Sequence, residues 1–297
     1  MILITGVSGL LGSAIAKFAA EKGEEVIGIC RNKSRKSSLR ILEDSIPVVE
    51  CDITNRNKIR SIICSYEPEI VIHLAAQPIV SKAYSFPQET FDVNFNGTVN
   101  VLEASIDAGV KHFIFGSSDK VYGNCDRADE SFKTCPEDLY AISKLAADFY
   151  VRSKADKIQV TITRPCNIYG FDVNLTRIIP HCIVSCMSGR QPEIRNPRAS
   201  RQFLYAEDYA RAIWTLIEQS ATGIYNIGSF DILEISLVAS EICEHFGIRP
   251  KLLCQQKFKE ADYQSVRCTK LLDLGWHQKY MFASGIEKTI ELYKKYW

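Results

Sequence analysis

A doubly wound parallel α/β sheet, followed by a smaller mixed α/β lobe, is the fold the sequence predicts. Three observations predict it. Short, nearly continuous apolar runs alternate with amphipathic stretches through the first half of the chain. The first of these runs ends in three glycines spaced G-x-x-G-x-x-G. After about Pro165 the alternation gives way to short, separated strand-like runs among longer helices. Strands that are apolar along their whole length belong in a sheet covered on both faces, and repeated strand–helix–strand units close as right-handed crossovers in a parallel sheet.

In chain order the strand candidates are "MILITG", "EEVIGIC", "IPVVECD", "EIVIHLAA", "KHFIFGSS" and "QVTITRP". Amphipathic stretches such as "LLGSAIAKFAAEKG" and "VNFNGTVNVLEASIDAG" lie between them and have helical period. Residues 1–165 are therefore expected to form a Rossmann-type dinucleotide-binding domain. Residues 166–297 are expected to form a substrate-binding lobe, with strands at "EIR", "GIYNIG" and "KLLC" and helices at "EDYARAIWTLIEQ" and "LVASEICEHFG". No Gly/Pro/Ser linker separates the two, so tight packing is expected, with segments such as 205–230 lying back on the first domain.

Composition narrows the partners. The 297 residues carry a formal net charge of +1, with 46% hydrophobic and 24% charged residues. That balance gives no global attraction to nucleic acid or to an anionic membrane. No apolar run reaches bilayer length, and the chain enters its first strand without the charged and apolar regions of a signal peptide. A cytoplasmic enzyme acting on a small molecule is expected. The 11 cysteines are odd in number and lack any C-x-x-C spacing. Cys30, Cys51 and Cys166 sit inside apolar runs, so the set reads as reduced small hydrophobes. Helical spacing puts Cys182 and Cys186, next to His181, on one face. Without a second ligand pair this is a packed face, and no metal is expected.

Gly6, Gly9 and Gly12 fall at the junction of the first strand and the first helix. Glycine there permits a tight turn, close approach of the backbone to a ligand, and phosphate binding on the helix N-terminus. The spacing alone arises by chance in about one such chain in twenty; its location on the first strand–helix turn gives it meaning. The dinucleotide is expected along Gly6, Ser8, Gly9, Leu10, Leu11 and Gly12, at Asp52 and Ile53 after the third strand, at Leu74, Ala75 and Ala76 after the fourth, and at Pro165. Asp52 contacts the adenine end or serves as a turn residue. At the end of the second strand, where an acid would grip the ribose 2′-OH of NAD, the chain reads "CRNKSRKSS". Arg31, Asn32, Lys33 and Arg35 suit a 2′-phosphate, so NADP is the first choice and NAD the second.

Two segments carry the chemistry. "FGSSDKVYG" follows the fifth strand, and "EDLYAISKLAADFYVRSK" supplies a helix on which Tyr140 and Lys144 are one turn apart. A neighbouring ammonium and the nicotinamide cation are expected to lower the Tyr140 phenol so that it can take a proton from a sugar hydroxyl held by Ser118. The same helix carries a second Tyr–Lys pair, Tyr150 and Lys154, about 15 Å further along. Tyr140 follows a turn at the helix start and is the chosen base.

These segments, with "HLAAQPIV", "RPCNIYG" and "SRQFLYAEDYARAI", resemble the extended short-chain dehydrogenase/reductases of the nucleotide-sugar epimerase/dehydratase type along nearly the whole chain. The resemblance implies catalytic roles for Ser118, Tyr140 and Lys144. It also implies that Asn167 and Gln77 contact a nucleotide-diphosphate sugar, that Arg201 grips its phosphate, and that a homodimer forms through a two-fold four-helix contact. "CRNKSRKSS" looks more like the GDP-mannose 4,6-dehydratases; "HLAAQPIV" and "SSDK" look more like the CDP-glucose 4,6-dehydratases. The reaction expected is 4,6-dehydration, with Asp119 (pKa raised) as acid and Lys120 (pKa lowered) as base. The alternatives are 4-epimerisation, reduction of a 4-keto sugar, and a non-catalytic dinucleotide sensor.

Overall fold

The structure, a computed structural model, describes residues 1–33, 37–253 and 261–297. Its strands are β1 (Ile2–Thr5), β2 (Val26–Cys30), β3 (Val48–Glu50), β4 (Ile70–His73), β5 (His112–Gly116), β6 (Cys125–Ala128), β7 (Gln159–Pro165), β8 (Asn167–Tyr169), β9 (Glu193–Ile194), β10 (Ser200–Tyr205), β11 (Gly223–Ile227), β12 (Ile232–Glu234), β13 (Lys251–Leu252) and β14 (Tyr263–Val266). The α-helices are α1 (Leu10–Glu21), α2 (Arg56–Tyr66), α3 (Val80–Ser85), α4 (Pro87–Phe91), α5 (Gly97–Asp107), α6 (Leu139–Arg152), α7 (Ile178–Met187), α8 (Ala206–Glu218), α9 (Ile235–Glu244), α10 (Thr269–Leu272) and α11 (Phe282–Tyr296).

Seven strands form one parallel sheet in the order β11-β7-β5-β4-β1-β2-β3. The order reverses between β1 and β4, where a doubly wound sheet opens its ligand crevice beyond the strand C-termini. Every residue of β1, β2 and β5 is buried, so both faces must be covered. Ile4, Ile72 and Ile114 face one core with Ile15 of α1 and Ile213 of α8. Leu3, Val71 and Phe113 face the other, with Ile63 of α2, Val101 of α5 and Val151 of α6. Neighbouring residues on a strand point to opposite faces, so each strand feeds both cores.

Elements cross the expected boundary at residue 165 in both directions. The lobe's sheet runs β12-β10-β14-β6, with β8 also on β10; it thus recruits β6 from the first half. In return, β11 extends the large sheet beside β7, and α8 packs on α1. β6 is absent from the sequence reading because "CDRA" has no apolar alternation to mark it. Its partner β14 supplies the reason for strand geometry from a distance.

Cys182 and Cys186 of α7 are buried against Cys243 of α9, with 3.5 Å between the sulfurs of Cys186 and Cys243. This is the packed face the spacing suggests. Among the described residues no cluster of His, Cys, Asp and Glu could hold a metal ion. No described helix is long and apolar enough to cross a membrane.

Candidate active site

At the end of β1 the chain turns through Gly6, whose φ of +74° lies in the left-handed region. A Cβ there would come within 2.7 Å of the Ala75 nitrogen, and one on Gly12 within 2.4 Å of the Gly6 oxygen. Only glycine lets α1 start this close to β1 and β4. Gly9 caps α1 with no side-chain hydrogen bond, which leaves the first N–H groups of the helix, from Leu10 and Leu11 on, for a phosphate. Ser8 lies in the same turn, where its carbonyl accepts from Ser38 N. Leu74, Ala75 and Ala76 continue β4 beside this turn, and Thr5 Oγ1 accepts from the backbone N–H groups of Leu74 and Ala75. Pro165, the last residue of β7, is buried. The backbone cradle therefore fits a dinucleotide.

Arg31, Asn32 and Lys33 are exposed beyond β2; Arg35 lies outside the described residues. Arg31, Asp52 and Thr54 line an open cavity of about 560 Å³ together with Gln88, Glu89 and Asp92. Asp52 lines the cavity and serves as a turn residue, its Oδ1 accepting from Thr54 N and Oγ1 at 2.9 and 2.8 Å. Ile53 is buried beneath it, where Gly97 leaves room. One acid does stand near the basic residues. Glu50, at the end of β3, accepts from the Lys33 backbone N–H at 2.6 Å.

The residues expected to do acid–base work converge beyond β5. Ser118 N-caps a 3-10 turn (Asp119–Tyr122) by accepting from Lys120 N at 3.2 Å. Asp138 N-caps α6, accepting from Ala141 N at 2.8 Å, which sets Tyr140 in the first turn. Ser118 hydrogen-bonds the Tyr140 phenol and donates to Asp119 Oδ1 at 3.3 Å. Asp119 is 3% exposed, and its Oδ2 has no hydrogen-bond partner among the described residues. Burial pushes its carboxyl up to about 6, against the opposing charges of Lys120 and Arg201.

Lys144, one turn beyond Tyr140, is 2% exposed and sits 4.3 Å over the centre of the Phe115 ring. Burial brings it down to about 7, with Asp148 resisting the fall. Beneath it His73 is buried between Thr5 Oγ1 at 2.7 Å and Thr98 Oγ1 at 3.0 Å, and burial, then the charge of Lys144, brings it down to about 3. It is therefore neutral at physiological pH. One expectation is corrected. The Tyr140 phenol is not lowered; burial of its oxygen pushes it up to about 12, and the cation that opposes the rise is Arg177 rather than Lys144.

The residues expected at the sugar diphosphate are spread more widely. Asn167, half-buried on β8, donates to Gln202 O at 3.3 Å. Arg201 is 6% exposed on β10; its guanidinium donates to the carbonyls of Ser200 and Ala261, and its charge reaches Asp119. Gln77 is turned inward: its amide donates to Ile79 O and Thr90 Oγ1 and accepts from Ile79 N, so it shapes the loop after β4. Tyr150 and Lys154 lie at the far end of α6, where both engage Glu103 of α5, at 2.6 and 2.8 Å.

Comparison with known proteins adds to this geometry. Residues 2–228 match the sequence profile of the NAD dependent epimerase/dehydratase family. The chain belongs to that family. A dTDP-D-glucose 4,6-dehydratase of Homo sapiens is 30% identical over 316 residues, covering 99% of this chain and 90% of its own length. The UDP-glucose 4-epimerase of Thermus thermophilus, solved with NAD, superposes with a TM-score of 0.92 at 24% identity, over 99% of this chain and 98% of its own. A double mutant of the dTDP-glucose 4,6-dehydratase of Streptomyces venezuelae, solved with NAD, does so at 0.91 and 22%, over 99% and 97%. This epimerase/dehydratase is thus a nicotinamide-dependent enzyme of nucleotide sugars, of the short-chain dehydrogenase/reductase type.

Three groups of this epimerase/dehydratase escaped the sequence reading. Arg177, the N-cap of α7, pairs with Asp172 at 2.8 Å, and its charge reaches the Tyr140 phenol. Asp148 and Arg164 form a pair with side chains 0% and 2% exposed, 3.0 Å apart. Of the three, only Asp148 had a signal: it continues the four-residue spacing of Tyr140 and Lys144 along α6.

Proposed function

We propose that this enzyme removes water across C5 and C6 of a nucleotide-diphosphate hexose, giving a 4-keto-6-deoxy sugar. The observation that carries the reading is Asp119, a buried carboxyl held near pH 6, with one oxygen unpartnered beside Ser118 and Tyr140 among the described residues. Gly6, Gly9 and Gly12 would hold the phosphates of the dinucleotide, whose nicotinamide would supply reversible hydride uptake. Ser118 orients the C4 hydroxyl and Tyr140 takes its proton, with the Arg177 charge favouring the phenolate and Lys144 set to face the nicotinamide ribose. Once C4 is a ketone the C5 hydrogen is acidic; Lys120 removes it as a proton and returns it to C5 when hydride reaches C6. Asp119 gives its proton to the C6 hydroxyl, which leaves as water. Arg201 and Asn167 hold the diphosphate end. The human relative, named as a 4,6-dehydratase, supports the same reaction.

The test is dTDP-glucose or UDP-glucose deuterated at C4, with catalytic cofactor. Deuterium at C6 of a product lighter by one water is expected. Unchanged mass with inversion at C4 makes it an epimerase, stoichiometric cofactor consumption a reductase, and bound cofactor without turnover a sensor.

For the dinucleotide, Arg31 on the cavity wall favours NADP. Two observations favour NAD: the carboxylate of Glu50 beside the same loop, and the NAD of the Thermus and Streptomyces structures. NADP is the proposal, and Arg31→Ala is expected to weaken NADP far more than NAD. Tighter NAD binding by the unaltered protein overturns it. A homodimer through α5 and α6 is supported by Ile142 and Phe149, seven residues apart on α6 and 40% and 54% exposed. Light scattering at micromolar concentration checks this, and a monomer refutes it.

A further inference from the structure

The two halves of the acid–base set sit on separate segments. Ser118, Asp119 and Lys120 belong to the turn after β5, and Tyr140 and Lys144 to the start of α6. One buried polar chain links them. Asp148, one turn beyond Lys144 on α6, accepts from Arg164 Nε at 3.0 Å through its Oδ2. Arg164, on β7, donates through Nη1 to the Tyr122 hydroxyl at 2.9 Å, with its guanidinium 4.9 Å from the centre of the Tyr122 ring. Tyr122 ends the 3-10 turn that Ser118 begins. Its hydroxyl donates onward to Asn226 Oδ1 at 2.9 Å, on β11, the register partner of Arg164. The Asn226 amide in turn donates to Ala128 O at 3.0 Å, which ties the chain to β6.

A buried ion pair stabilises a fold weakly or not at all compared with apolar residues of the same volume. This one therefore calls for a reason. The other Asp148 oxygen lies 2.9 Å from Arg152 Nε but is not aligned for a hydrogen bond. The directed contacts of the pair all run toward the turn that carries Ser118. Arg164 also leads through Pro165 and Cys166 to Asn167, so the same stretch of chain carries a residue expected at the substrate.

We propose that Arg164, anchored by Asp148, is a positioning residue that acts through Tyr122 to hold Ser118 and Asp119 in reach of Tyr140. The proposal rests on the acid–base roles given above to Ser118 and Tyr140, which proton removal at C4 needs whether the enzyme is a dehydratase or an epimerase. A displacement of about 1 Å between such groups is enough to slow a reaction by about a hundredfold. Shifting the turn should slow chemistry without touching the glycine cradle that holds the dinucleotide.

The experiment uses the full-length enzyme with three variants. Tyr122→Phe removes only the hydroxyl. Arg164→Lys keeps a cation for Asp148 but loses the second arm. The double variant combines them. The readouts are the melting midpoint, the cofactor Kd, and single-turnover absorbance at 340 nm with dTDP-glucose or UDP-glucose. Each single variant is expected to fold, to bind cofactor within about twofold of the parent, and to lose about tenfold or more in the rate of the absorbance change, with KM for the sugar little altered. The double is expected to be no slower than the worse single, because both break one link. A lowered melting midpoint with an unchanged rate, or losses that multiply in the double, would make the pair structural and overturn the proposal. If Arg164→Lys fails to fold, Tyr122→Phe decides alone. The absorbance step precedes water loss, so a failed dehydration reading shows in the product mass and leaves this result standing.

Discussion

The Tyr-x-x-x-Lys spacing occurs twice, at the start of helix α6 and across its C-terminal end, and the two copies live in opposite surroundings. Tyr140 and Lys144 sit at its start, facing the sheet; Lys144 is 2% exposed, and burial brings its ammonium down to about 7. Tyr150 and Lys154 sit at its end against α5, where a hydrogen bond to Glu103 raises Lys154 instead. Both spacings put Tyr and Lys on one face. The difference lies in what the face meets: at one end, the crevice beyond β4 and β5; at the other, a carboxylate near water. A motif is thus only a geometry. Reactivity is added by the strands that desolvate one copy and leave the other as a surface ion pair.

The largest test of that contrast is the pair of Tyr→Phe changes. Tyr140→Phe removes the proposed proton acceptor and is expected to cut kcat by about 10²–10⁴-fold while cofactor Kd stays near that of the parent. Tyr150→Phe loses only a surface hydrogen bond, and activity within about twofold is expected. Steady-state kinetics with cofactor titrations check both, and an inactive Tyr150→Phe enzyme would reverse the assignment.

A buried group outside α6 should behave as the buried copy does. Asp119 is expected to act protonated, so the water-loss rate should fall as pH rises through about 6. Asp119→Asn should lose that limb and about a hundredfold in rate. Stability follows with the opposite benefit. A carboxyl whose folded pKa is raised from 3.8 to about 6 contributes fully below pH 3.8, and that contribution is lost as pH rises through 6. Asp119→Asn should therefore melt higher than the parent at pH 7–8, by at most about 3 kcal/mol, and not at pH 4. Equal melting curves at both pH values would mean the carboxyl is not desolvated.

How much of this was legible depended on the range of the cause. The strands of the first half and the glycine turn are local: apolar runs, and a left-handed Gly6 at the end of the first of them, read directly from the sequence. Ser118, Tyr140 and Lys144 were legible because the strand–helix order brings adjacent C-terminal strand ends together. β6 was not, since "CDRA" becomes a strand only because β14, well over a hundred residues later, pairs with it. The protonation of Tyr140 was misjudged for a similar reason. The sequence shows the ammonium one turn away but not the depth of the phenol oxygen, and depth won. Gln77 looked available beside the cofactor strands; the loop folds back and uses its amide internally.

The smallest effects separate the two lysines. Lys144 has its folded pKa depressed from 10.5 to about 7. Its contribution is therefore present above pH 10.5 and is lost as pH falls through 7, where a charge must be kept desolvated. Lys144→Met should raise the melting midpoint, most clearly below pH 7 and not at all near pH 11, while abolishing turnover: a stability gain at the expense of function. Lys154 is displaced the other way. Its folded pKa lies above 10.5, so its contribution is present below that pH and is lost only as pH rises beyond it. Lys154→Met should lower the midpoint slightly at neutral pH, and added salt should erase the difference, because the partner Glu103 is shared with water. Differential scanning calorimetry of both variants across pH 5–11, at low and high salt, reads the two signs side by side. Shifts of the same sign at pH 6 would mean that the two Tyr–Lys copies share one environment, and the distinction drawn from burial would fail.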